Sequence, residues 1–234
     1  MIDHHAESAR REFLGRLAAG SAVLLAGTSV AACAAGADTG NDSTGATAML
    51  AADGEWLSKI HGTHRQFFDA THWNDGFSLG YAHNWAKSTR ETFNVGNDDV
   101  TAVVGLRHFG IAPAFSDAIW QKYKLGPFFK INDPKTNQPS VRNYAYNETE
   151  GDFPFPGMSL GQQISNGAVV TVCNLATTVL SGITAQAAGL SIPAAEAYEE
   201  WKAALQSGCY LVPTGVLAVN RAQAVGNCTY CYAG

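Results

Sequence analysis

Two continuous apolar runs constrain this chain most: Val100-Thr101-Ala102-Val103-Val104-Gly105-Leu106 and Ala168-Val169-Val170-Thr171-Val172-Cys173. Runs so short, rich in Val and without polar alternation, fit strands buried on both faces, as in a parallel sheet. Cys209-Tyr210-Leu211-Val212 and Cys228-Thr229-Tyr230-Cys231-Tyr232 have the length and the β-branched or aromatic content of strands, and Arg65-Gln66-Phe67-Phe68-Asp69 is a fifth candidate. Between them, Leu79–Thr92, Leu175–Ala188, Ala194–Leu205 and Val216–Val225 carry apolar residues three and four apart, which predicts helices. Asn174 is placed to cap the second of these and Gly189 to stop it. Strands alternating with helices imply right-handed βαβ units and an open parallel sheet with helices on both faces, a three-layer αβα arrangement. If the strand order is 2-1-3-4-5, the ends of strands one, two and three present Asp69, Arg107 with His108, and Cys173 along one rim.

The first 50 residues read as an address. Arg10-Arg11-Glu12-Phe13-Leu14 is a twin-arginine pair followed by Phe-Leu, and no charged side chain occurs from Leu17 to Ala37. This predicts a bacterial export signal of the twin-arginine type over residues 1–33. Val30-Ala31-Ala32-Cys33 resembles a lipoprotein cleavage box, so Cys33 is a candidate for lipidation. Residues 34–50, rich in Ala, Gly, Thr, Ser and Asp, have the composition of a flexible tether. The expected location is exported: periplasmic, or membrane-tethered by lipid and facing the periplasm.

Residues 51–234 then form one α/β domain, with an insertion at about 121–157 that carries five prolines and the aromatics Phe128, Phe129, Tyr144, Tyr146, Phe153 and Phe155. A connection of that length is either functional or disordered, and its aromatics predict one packed as a lid or partner surface. Fifteen basic against 20 acidic residues give a net charge of -5, which offers no footprint for a polyanion and argues against nucleic acid as a partner. Gly-rich phosphate loops and paired-carboxylate motifs do not occur, so nucleotide-dependent and glycosidase chemistries lack support.

Outside the signal stand Cys173, Cys209, Cys228 and Cys231. Cys228 and Cys231 form a CxxC in a strand, where residues three apart face opposite sides about 10 Å apart, beyond disulfide reach. In the expected strand order, Cys209 and Cys228 begin neighbouring strands about 4.8 Å apart, and are either bridged or simply buried as small apolar residues. Cys173 ends a buried strand immediately before a helix, at the edge where open α/β sheets bind ligands and where a helix N-terminus favours a thiolate.

Gly167-Ala168-Val169-Val170-Thr171-Val172-Cys173-Asn174, followed by Leu211-Val212-Pro213-Thr214-Gly215-Val216 and Arg221-Ala222-Gln223, resembles the DsrE/DsrF-like sulfur-relay family. The resemblance covers Val100–Gly234 best. It implies a flavodoxin-like fold with a five-stranded parallel sheet, a sulfur carrier or sulfurtransferase-like protein, sulfane sulfur carried as a persulfide on Cys173, and a homo-oligomer. Asn174 and the Val212–Gly215 loop, with Pro213, Thr214 and Gly215, would line the site. A donor or acceptor protein, or a small sulfane-sulfur compound, would be the partner, with no cofactor. Arg107 and His108 would favour the thiolate, and Asp69 would oppose them unless paired with Arg107. The competing reading is a non-enzymatic exported module that binds zinc or copper through His61, His64 and His72, or a partner through the aromatic insertion.

Overall fold

The computed structural model describes residues 54–234. The export signal, the lipidation candidate Cys33 and the tether lie outside the described residues. Five strands form one all-parallel sheet: β1 (His64–Ala70), β2 (Val100–Leu106), β3 (Val169–Cys173), β4 (Cys209–Val212) and β5 (Thr229–Tyr232). Every residue of β2 and β3 is buried, as continuous apolar runs require. The fold is the expected three-layer αβα, flavodoxin-like class, but its strand order is 4-3-2-1-5 and not 2-1-3-4-5.

The physical reason for that order lies in the crossovers. From β1 to β4 each connection steps one strand along in the same direction, and its helices pack on one face. These helices are α1 (Phe77–Phe93), the short α2 (Asp117–Lys122), α3 (Leu125–Phe129) and α4 (Leu160–Ser165), then α5 (Asn174–Ala188) and α6 (Ala194–Ala203). The chain then returns beneath the sheet through α7 (Gly215–Ala224), and β5 pairs with the free edge of β1. Right-handed crossovers demand this: a reversal of direction along the sheet puts the connecting helix on the opposite face. There Ala218 and Ala222 of α7, with Trp56, cover Phe67, Val103, Val169 and Val212. Gly105 is obligatory on this face, because a Cβ there would stand 2.1 Å from the Phe67 ring.

The order separates two cysteines that sequence reasoning brought together. β4 and β5 occupy opposite edges, four spacings or about 19 Å apart, so Cys209 and Cys228 cannot bridge. All four described cysteines are free. Burial pushes the Cys209 thiol up to about 12 and, against the opposing charge of Arg65, the Cys228 thiol up to about 11. Alkylation at neutral pH should therefore leave both nearly unlabelled in the native protein, and denaturation without reductant should expose all four. A deficit of two thiols in the denatured chain would contradict this arrangement.

The 121–157 insertion is folded onto the first face. Asn143 donates to the carbonyls of Pro113 (2.8 Å) and Phe115 (2.6 Å), and Trp73 meets the Tyr144 ring edge-on at 5.7 Å. An ionic cluster closes it: Arg142 Nε donates to Asp133 Oδ2 at 2.6 Å, and its Nη1 and Nη2 donate to Asp152 at 2.8 and 2.5 Å. The Arg142 hydrogen bond, opposed by burial and aided by the Lys135 N–H, holds the Asp133 carboxyl below its ordinary range. Burial alone would push Asp152 up, but Arg142 and the Thr149 N–H and hydroxyl outweigh it and hold that carboxyl far below the usual range. Both folded pKa values are depressed, so the stabilisation is complete above the ordinary carboxylate range and is lost as pH falls through the folded values. The urea midpoint should drop between about pH 5 and about pH 2, and Arg142→Met should flatten that slope. Equal slopes in the two proteins would refute the assignment. No helix among the described residues is long and apolar enough to cross a membrane.

Candidate functional site

The carboxyl ends of β1 to β4 form the rim at which the expected site residues were placed. Cys173 ends β3 and, rather than Asn174, is the N-cap of α5. Its Sγ accepts the Ala176 N–H at 3.4 Å, while Thr177 Oγ1 donates to the Cys173 carbonyl at 3.0 Å. Caps are usually oxygen-bearing side chains; here the thiol takes that position and is 5% exposed. Asn174 is instead the first helical residue, and its Oδ1 accepts the Tyr198 hydroxyl of α6 at 2.9 Å. Gly189 ends α5 in the left-handed region at φ 78°, as expected.

The Pro213-Thr214-Gly215 loop lies beside this thiol. Cys173 stands opposite Val212 in the sheet register, and the Leu175 N–H donates to the Pro213 carbonyl at 3.3 Å. Thr214 caps α7 by accepting the Leu217 N–H at 3.2 Å. Two helix N-termini, of α5 and α7, therefore open onto the same rim, ringed by the exposed apolar side chains of Leu175, Val216 and Leu217. Gly215 allows α7 to approach Arg107, since a Cβ there would come within 2.6 Å of the Arg107 Cβ.

Asp69 and Arg107 form a bidentate pair across β1 and β2. Arg107 Nε and Nη2 donate to the two carboxylate oxygens at 2.6 and 2.7 Å, and the Tyr230 hydroxyl donates to Asp69 Oδ2 at 2.8 Å. The Asp69 hydrogen bonds, against burial, raise the Arg107 pKa further. Burial and Asp69 push the Tyr230 hydroxyl up to about 12. Asp69 is thus occupied in holding Arg107.

His72 and His108 flank the pair. Partial desolvation and the Arg107 charge lower both imidazoles; the Gly234 carbonyl opposes this at His72, and Asp69 opposes it at His108. Both are therefore largely neutral at neutral pH. His72 accepts or donates at Nδ1 with Thr71 Oγ1 at 2.9 Å and stacks on Phe109, with ring centroids 6.0 Å apart. Among the described residues no hydrogen bond joins either histidine to Cys173.

The remaining histidines lie elsewhere. His61 Nδ1 is 3.0 Å from the Asp98 carbonyl, and His64 stacks on Phe93 at 4.6 Å, both at the amino end of the sheet. His72 follows the carboxyl end of β1, about 20 Å away along the strand. The structure does not bring His61, His64 and His72 together, and among the described residues no group of three His, Cys, Asp or Glu is arranged to hold a metal ion. Sequence reasoning missed Tyr198 and Tyr230, which act on the site from a distant helix and from the last strand; neither carried a local signal. The protein-family models, curated proteins and solved structures searched contain no match to this chain.

Proposed function

We propose that this domain handles sulfane sulfur, with Cys173 as the carrier. The observation that carries the reading is the setting of its Sγ: it stands at the carboxyl-end rim of a parallel sheet, as the N-cap of a 15-residue helix, and accepts a backbone N–H. An N–H donor at a helix N-terminus is the contact that suits a sulfur anion. Cys209 and Cys228 are buried with raised pKa values, and Cys231 lies in the edge strand β5, away from the rim helices. Further support comes from the two segments that resemble the sulfur-relay family, Gly167–Asn174 and Leu211–Val216, which meet side by side at this rim.

The Cys173 thiolate attacks the terminal sulfur of a donor persulfide. The donor S–S bond breaks, the donor leaves as a thiolate with the electron pair, and Cys173 becomes the persulfide. An acceptor thiolate then takes the terminal sulfur by the same exchange and restores Cys173, with no net oxidation. Asn174, held by Tyr198, and the Pro213-Thr214-Gly215 loop line the entry. Neutral His108 takes the proton of an incoming thiol. The donor or acceptor is a protein or a small sulfane-sulfur compound, the protein is exported as its N-terminal pattern indicates, and it works as a homo-oligomer.

Mass spectrometry after exposure to a persulfide donor tests this. A gain of one sulfur atom localised to Cys173 is expected. Absence of a sulfur adduct at Cys173 would overturn the reading.

A further inference from the structure

At the amino end of the sheet, far from Cys173, α1 and α4 leave a small cleft of about 300 Å³, counting its open mouth. Its floor is apolar, with Val100 and Ala102, and its polar walls are His83 and Arg90 of α1, Gln163 of α4 and the adjacent Asn166. Arg90 is half-buried, and among the described residues its guanidinium has no hydrogen-bond or ion-pair partner. The neighbouring acid, Glu91, is paired with Lys87 at 3.1 Å. Gln163 is 4% exposed, and its Nε2 donates to the carbonyls of Leu79 at 3.1 Å and Met158 at 2.7 Å. Those two carbonyls fix the amide's orientation, because an oxygen in that position would face two acceptors. They leave Oε1 as an acceptor without a donor among the described residues.

A cation lacking an anion and an acceptor lacking a donor, in one cleft, call for a single occupant. We propose that the cleft binds a small oxyanion that carries its own hydroxyl, the chemistry shared by hydrogenphosphate and a short 2-hydroxycarboxylate. Arg90 takes the anionic oxygens, as a guanidinium does in a forked contact. Gln163 Oε1 accepts the ligand hydroxyl, and the Asn166 amide, which makes no other side-chain hydrogen bond among the described residues, adds a donor. The small volume and apolar floor favour a small anion over a large or highly branched one. This site stands apart from the sulfur reading and does not depend on it.

Titration calorimetry of the full chain at neutral pH with inorganic phosphate, with glycolate and with sulfate tests it. Phosphate or glycolate should bind saturably, and which of them binds identifies the source of the ligand. Sulfate matches hydrogenphosphate in size and charge but lacks the hydroxyl, so it should bind at least about tenfold more weakly. Arg90→Gln should weaken binding by at least about tenfold and leave the thermal midpoint of the anion-free protein unchanged. Gln163 is left intact, since replacing it would strand two buried carbonyls; the sulfate comparison interrogates Oε1 without a mutation. Absence of saturable binding by both phosphate and glycolate, sulfate binding as tight as phosphate, or full binding by Arg90→Gln would each overturn the proposal.

Discussion

Arg107→Met should lower the unfolding free energy by about 3–5 kcal/mol, the largest single-residue stability loss expected at the rim. The Asp69 side chain is 2% exposed, and two of its three side-chain hydrogen bonds come from Arg107. Without the guanidinium, a buried carboxylate keeps only the Tyr230 hydroxyl, and the penalty is that of an uncompensated charge. The double variant Asp69→Asn with Arg107→Met removes the charge as well as its partner, so it should lose much less than the sum of the two single variants. Denaturant unfolding of the four proteins measures the coupling. Additive losses would show that the pair is not the buried unit described here.

Cys173→Ser should abolish sulfur uptake from a persulfide donor, while Cys209→Ser, Cys228→Ser and Cys231→Ser each retain it. Serine keeps the capping geometry, because a hydroxyl accepts the Ala176 N–H as well as a thiol does, so the fold should survive with little change. The loss would then report chemistry and not stability. Uptake that persists in Cys173→Ser at the level of the unaltered protein would remove this thiol from the mechanism. A second comparison separates the role of Asn174: Tyr198→Phe should slow uptake without lowering its final extent, because it frees the Asn174 side chain and leaves the sulfur in place.

The strands were legible almost to the residue. Val100–Leu106 and Val169–Cys173 are buried on both faces, and such strands carry their signature in composition alone. Thr229–Tyr232 was legible as a strand for a different reason, its aromatic content, but that content is the same whichever edge it joins. Its place beside β1 is decided by the face on which α7 returns, a tertiary fact with no local imprint, and the expected neighbourhood of Cys209 and Cys228 failed with it. Cys173 and the Val212–Gly215 loop were brought together as expected, because both stand at strand ends that precede helices. The cap was misassigned to Asn174 because sequence rules favour an amide over a thiol at that position. His72 could not join His61 and His64, since a strand lies between them, a separation invisible to residue spacing counted as helical.

The pairing of β5 with β1 also shapes the way the chain reaches its native state. It joins residues 164 apart, as in the contact from Thr229 Oγ1 to the Arg65 carbonyl. Loop closure over such a separation is entropically unfavourable, and contacts of that range raise the contact order and slow folding. The first strand therefore exposes an open hydrogen-bonding edge until the last has docked, an interval in which intermolecular strand pairing competes with completion of the sheet. Because Tyr230 arrives on that final strand, the buried carboxylate of Asp69 acquires its third hydrogen bond only at closure. The rim thus owes one of its buried hydrogen bonds to the longest-range strand pairing of the sheet, so the candidate site is coupled to the part of the fold that is entropically hardest to close.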